Sequence, residues 1–188
     1  MLTIKIFYDI IFLESEVLIM AKVKGAKVLN KAISKELAPF GIKKAVCTDE
    51  YSYLYDKEMV TYKLTEGTVE DKWFVKFIKE RFNYEVRYPF IMSLLHEVGH
   101  HKANDDIDGA VYDFCMAEKA RINEEMLTAT GKESKKLEWQ YFNLPDEIMA
   151  TSWAVEYAKA HPKKIEKMWK NAQKALVDFY KKNLDDFE

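Results

Sequence analysis

Apolar residues switch between helical and strand-like spacing along the chain, and the switches divide it into elements. Residues about 26–38 read as a helix, ended by Pro39-Phe40-Gly41. Ile42–Cys47, Tyr51–Tyr55 and Met59–Leu64 are short, rich in aromatic and β-branched residues, and separated by polar turns. They predict a small antiparallel sheet. Thr68 begins a second helix that runs to about Phe82, with Trp73, Phe74, Phe77 and Ile78 on its apolar side. Tyr84–Tyr88 reads as a short strand or an extended lead-in to a third helix over about 90–103. There Ile91, Leu95 and Val98 fall at i, i+4 and i+7, Leu94 widens the stripe, and Met92, His96 and His100 lie on another face. Pro89 suits the first turn, where a missing N–H matters little. A helix follows over about 107–128, ended by Thr130-Gly131. Another runs from Pro145 to about 160, and a last amphipathic one from Lys163 to about Asn183. In that last helix Ile165, Met168, Trp169, Ala172, Leu176 and Phe179 predict a core face rather than a membrane face, because acids and bases alternate around them.

This order predicts an α+β protein, mainly helical, with the small antiparallel sheet beside the helix over 90–103. No repeat, low-complexity run or Gly/Pro-rich linker divides it, so residues 1–188 read as one domain. Residues 1–19 are apolar-rich but interrupted by Lys5, Asp9, Glu14 and Glu16, which excludes a good membrane-spanning helix. No secretion signal is legible there. With Met20-Ala21-Lys22 after it, the segment reads as an N-terminal extension, with an added strand or helix as the alternative.

Composition narrows the class. Eleven Tyr, eleven Phe and four Trp argue for an ordered globule. The net charge of −2, from 29 basic and 31 acidic residues, gives no basic excess of the kind nucleic-acid partners require. Cys47 and Cys115 lack zinc-ligand spacing and read as free thiols, with a cytoplasmic location expected.

The chemistry is concentrated in His96-Glu97-Val98-Gly99-His100, an H-E-x-x-H motif. On a helix, residues four apart share a face, so both imidazoles can aim at one Zn²⁺. Glu97 sits about 100° further round. From there it can take a proton from a water on the metal without itself being a ligand. The bland reading is a helix carrying two ordinary histidines.

A hydrolytic zinc site needs a third protein ligand and an open fourth position. One candidate is Glu147, because Ala150, Ala154 and Ala158 follow it at i+3, i+7 and i+11. That small-residue face permits close packing on the motif helix. Alternatively, Glu147 is only an acid favoured in a first helical turn. The second candidate is Asp106, at the spacing of the metzincin type. That type needs a glycine where Ala103 stands, and Asn104-Asp105-Asp106 also reads as a loop and N-cap cluster. His101 reads as helix surface or as a group behind the site, and His161, before Pro162, as structural.

With these residues the chain resembles the zincin metallopeptidases. Over about residues 88–160 it resembles the ImmA/IrrE family of phage and bacterial metallopeptidases in particular. The carriers are His96-Glu97-x-x-His100, the uncharged Leu94, Leu95, Val98 and Gly99, and the Glu-x-x-Ala of Glu147 and Ala150. Lys102 stands where an apolar residue is usual, and the stretch between His100 and Glu147 is longer than expected for the family. The resemblance implies a zincin-like fold, Zn²⁺ on His96, His100 and Glu147, and peptide-bond hydrolysis with Glu97 as general base. It also implies an edge strand beside the cleft that takes an extended peptide or protein substrate. Tyr141, Tyr157 and His101 are open candidates for assisting the oxyanion. The alternatives are a non-catalytic zincin-like module for protein interaction and a metal hydrolase acting on a non-peptide amide.

Overall fold

Helix α1 (Lys27–Leu37) turns Leu29, Ile33 and Leu37 inward and lies along strand β1 (Lys44–Thr48). Its polar residues satisfy the outer edge of that strand. The backbone N–H of Ala45 donates to Ser34 Oγ at 2.8 Å, and that of Cys47 to Asn30 Oδ1 at 2.8 Å. Asn30 Oδ1 also accepts from the Tyr62 hydroxyl at 2.7 Å. A 3₁₀ turn over Ala38–Phe40 ends at Gly41, whose φ of +94° is a left-handed conformation that a side chain would strain. The computed structural model describes residues 26–48, 50–64, 72–103 and 106–183. The expected extension over 1–19 and the helix start at Thr68 lie outside the described residues.

The sheet holds β1, β2 (Ser52–Leu54) and β3 (Met59–Lys63) in the order β1-β3-β2. It is mixed, not antiparallel throughout as expected. β1 runs parallel to β3, pairing Ala45 with Val60, while β2 runs antiparallel to β3, pairing Tyr53 with Val60. Burial accounts for the order. Met59 to Tyr62 are all buried and take the centre, whereas β2 is only half-buried and takes the edge.

Helix α2 (Lys72–Phe82) buries Phe74, Phe77 and Ile78. Residues 84–88 form no strand and lead irregularly into α3 (Pro89–Ala103). Every residue of α3 from Phe90 to Gly99 is buried. Its main partner is α6 (Pro145–Ala160), and α7 (Pro162–Asn183) closes the core with Ile165, Met168, Ala172, Ala175, Leu176 and Phe179.

Between α3 and α6 stand two helices where one was expected. Helix α4 (Gly109–Met126) begins at Asp108, whose carboxylate accepts from the N–H of Ala110 at 2.9 Å. The unexpected α5 (Lys132–Phe142) follows Gly131 and buries only Leu137 fully. Too few of its residues are apolar for a periodic signal. Its C-terminal aromatics anchor it instead, with Phe142 stacked on Phe77 at 5.3 Å between ring centroids and Trp139 edge-on to Phe77 at 5.5 Å. Cys115, Ile122, Leu137 and Leu144 make a small second core under these helices. No helix among the described residues is long and apolar enough to cross a membrane.

Candidate metal centre

The four-residue spacing on α3 brings His96 Nε2 and His100 Nε2 to 3.2 Å from each other. Glu147, in the first turn of α6, closes the triangle. Its Oε2 is 3.0 Å from His96 Nε2 and its Oε1 is 3.4 Å from His100 Nε2. Donors held 2.0–2.1 Å from a tetrahedral zinc stand about 3.3 Å apart, and each imidazole nitrogen lies near that distance from the other and from one of the two Glu147 oxygens. Two histidines and one carboxylate also form a donor set suited to a catalytic metal with a free position.

The approach of the two helices is set by small residues. A Cβ built on Gly99 would lie 2.8 Å from the Cα and carbonyl carbon of Ala150, and nearer still to its oxygen. Gly99 therefore lets the backbone of α6 pass directly over α3. Ala150, Ala154 and Ala158 continue the buried contact along α6. One turn beyond Glu147, the Oγ1 of the fully buried Thr151 is 3.0 Å from His96 Nδ1. If Nδ1–H donates to that oxygen, Nε2 is left unprotonated, the tautomer a metal needs. The ring of Phe74 packs edge-on against His96 at 4.9 Å.

Charge at the site is tightly paired. Burial by itself would raise the Glu147 carboxyl, but the imidazoles of His100 and His96 outweigh it and hold the group well below the usual carboxylate range. Lys119 of α4 reaches in, and its ammonium contacts both Asp146 Oδ2 and Glu147 Oε1. Burial disfavours that cation, yet Glu147, Tyr141 and Asp146 overcome it and raise Lys119 above the ordinary lysine range. Burial pushes Glu97 up to about 7; His96 and Lys119 act against the rise, and Glu147 adds to it. That places the Glu97 carboxyl near neutrality, where a proton can be both taken and returned.

The triad opens on a cleft of about 900 Å³. Residues of edge strand β2 line it on one side, and Phe74, Tyr112, Met116, Tyr141 and Phe142 line it elsewhere. Glu97 also reaches it. Among the three oxyanion candidates, Tyr141 lines the cleft, and burial together with the charge of Glu147 keeps its hydroxyl protonated. Tyr157 stacks on Trp153 at 5.3 Å and packs against His161 at 4.5 Å. His101 Nδ1 is 2.7 Å from the Tyr53 hydroxyl, tying α3 to β2. Asp106 is exposed; among the described residues, the group able to hold a metal is His96, His100 and Glu147.

Lys119 and Thr151 were not legible as site residues. Thr151 carries a faint signal, since it stands four residues after Glu147 and so shares its helical face. Lys119 carries none, because it belongs to an ordinary charged helix and only the fold brings it to Glu147. No family model, curated protein or solved structure matches the chain.

Proposed function

We propose that the protein is a zinc-dependent peptidase of zincin-like architecture, with His96, His100 and Glu147 as ligands and Glu97 as general base. The observation that carries this reading is the Glu147 carboxylate set against both imidazoles, one oxygen toward each, on the wall of an open cleft. A zinc ion held there would supply Lewis-acid activation of water and of the scissile carbonyl. The Glu97 carboxylate accepts the proton of the attacking water and passes it to the nitrogen of the leaving amine. Tyr141 Oη is a protonated donor on the cleft wall and suits the carbonyl oxygen as it gains charge. The edge position of β2 in that wall favours an extended peptide as substrate, added as a further strand.

The intact Glu97 favours this reading over a non-catalytic module, because a structural site has no use for a buried carboxyl beside its metal. The same three donors also suit iron(II), so metal identity is part of the test. Elemental analysis of purified protein is expected to find zinc at about one ion per chain, lost in His96→Ala/His100→Ala. Glu97→Gln is expected to keep the zinc and to lose about 10² to 10⁴ of the cleavage rate on a peptide library. Full zinc occupancy in the double variant, or unchanged cleavage by zinc-loaded Glu97→Gln, would overturn the proposal.

A further inference from the structure

We infer that Lys119 is a positioning residue for the third ligand: by holding one oxygen of Glu147, it leaves that carboxylate a single oxygen for a metal and keeps a coordination position open. The inference rests on the metal-centre reading above.

Lys119 comes from the middle of α4, outside the two ligand helices. Its ammonium touches Asp146 and Glu147 and lies 5.4 Å from the centroid of the Tyr141 ring. An ammonium has three N–H donors, and two carboxylates and one ring face can engage all three. A group so fully occupied is poorly placed to bind substrate. Its effect is on the carboxylates themselves. Asp146 and Glu147 are consecutive acids, buried in the first turn of α6, and the lysine between them offsets their repulsion.

The contact makes the two Glu147 oxygens unequal. Oε1 carries the lysine and stands 3.4 Å from His100 Nε2, while Oε2 stands 3.0 Å from His96 Nε2. A metal held by both imidazoles would find Oε2 free of the lysine, while Oε1 would stay with Lys119. Released from that hold, Glu147 can chelate through both oxygens. Two imidazoles and a chelating carboxylate fill a four-coordinate site and leave no place for water. An open position is what distinguishes a hydrolytic zinc site from a structural one. Helix α4, which lies between α3 and α6 in sequence, thus supplies the group that keeps the centre open.

The test uses the full chain loaded with Co²⁺, whose visible spectrum reports an added ligand. Imidazole is the probe because above about pH 8 it is mainly the neutral base, so loss of the lysine charge has little direct effect on its affinity. In the wild type, imidazole is expected to enter the open position and shift the spectrum saturably. In Lys119→Met, which keeps the length of the buried stem, its affinity is expected to fall by about 10- to 100-fold, as for other partners of metal ligands, with Co²⁺ still bound. Unchanged imidazole affinity in Co²⁺-loaded Lys119→Met overturns the inference. The wild type supplies a second reading that needs no variant to fold. The Lys119 ammonium, protected by burial, is expected to give an ¹⁵N–¹H signal both before and after zinc is added. Disappearance of that signal on zinc loading would show that the lysine lets go of Glu147, and also overturns the inference. Failure of the wild type to bind Co²⁺ is a different result: it removes the metal-centre reading and takes this inference with it.

Discussion

The two helices that converge on Glu147 from outside α6 are built in opposite ways. α3 is buried without interruption from Phe90 to Gly99 and meets α6 backbone to backbone at Gly99 and Ala150. α4 has 18 residues and buries fully only Cys115 and Ile122, leaving Val111, Tyr112 and Phe114 exposed. The first helix is positioned by apolar packing, which is also what holds the domain together. The second contributes little packing and delivers one charged side chain, Lys119. Stability and tuning of the site therefore reside in different parts of the molecule.

The largest difference between the two is expected in stability. Leu95 on α3 is completely buried, and Leu95→Ala should cost about 2–5 kcal/mol through lost transfer energy and the cavity left behind. Phe114 on α4 is 54% exposed, and Phe114→Ala should stay within about 0.5 kcal/mol. Urea denaturation of both variants measures the contrast, and equal losses would show that α4 is as much a part of the core as α3. Ligand removal should separate the regions as sharply in metal binding. Glu147→Ala should weaken zinc binding by more than about 100-fold, exceeding the loss typical of outer partners, while Asp106→Ala at the entrance to α4 should leave it unchanged. Calorimetric titration decides, and zinc loss in Asp106→Ala alone would move the third ligand out of α6.

A glycine in each region gives a smaller, backbone-level comparison. Gly99→Ala forces a Cβ into Ala150, and the overpacking should cost about 1–3 kcal/mol despite the better helix propensity of alanine. Gly109, the first residue of α4, has nothing within 4 Å of a built Cβ, so Gly109→Ala should be neutral or stabilising by up to about 1 kcal/mol. Thermal melts of the two should shift in opposite directions. A last contrast concerns pH. Burial pushes the Cys47 thiol, in the main core, from 9.0 up to about 11. The folded value lies above the unfolded one, so this contribution is fully present below about pH 9 and is lost as pH rises toward 11. Denaturation midpoints should fall across that window, and less steeply in Cys47→Ala. An identical slope in the variant would assign the fall to other groups.

Much of the candidate site was legible because its geometry is local. His96, Glu97 and His100 need only a helix to reach one site, and the small residues after Glu147 announced a close helix contact before any partner was known. The sheet was legible in its strands but not in their order, since periodicity says which residues face inward and nothing about which strand sits between the others. Helix α5 escaped because five of its first seven residues are charged and its few aromatics find their partners on α2.

The chain by itself determined the positions of most helices, the pairing of two imidazoles and the carboxyl beside them, because these follow from spacing along one element. Tertiary structure decided that Glu147 and not Asp106 meets the histidines, that β2 forms the edge beside the cleft among the described residues, and that Lys119 reaches Glu147 from a separate helix. Each of these joins residues far apart in sequence, and such contacts depend on how separate elements pack, which no local pattern encodes.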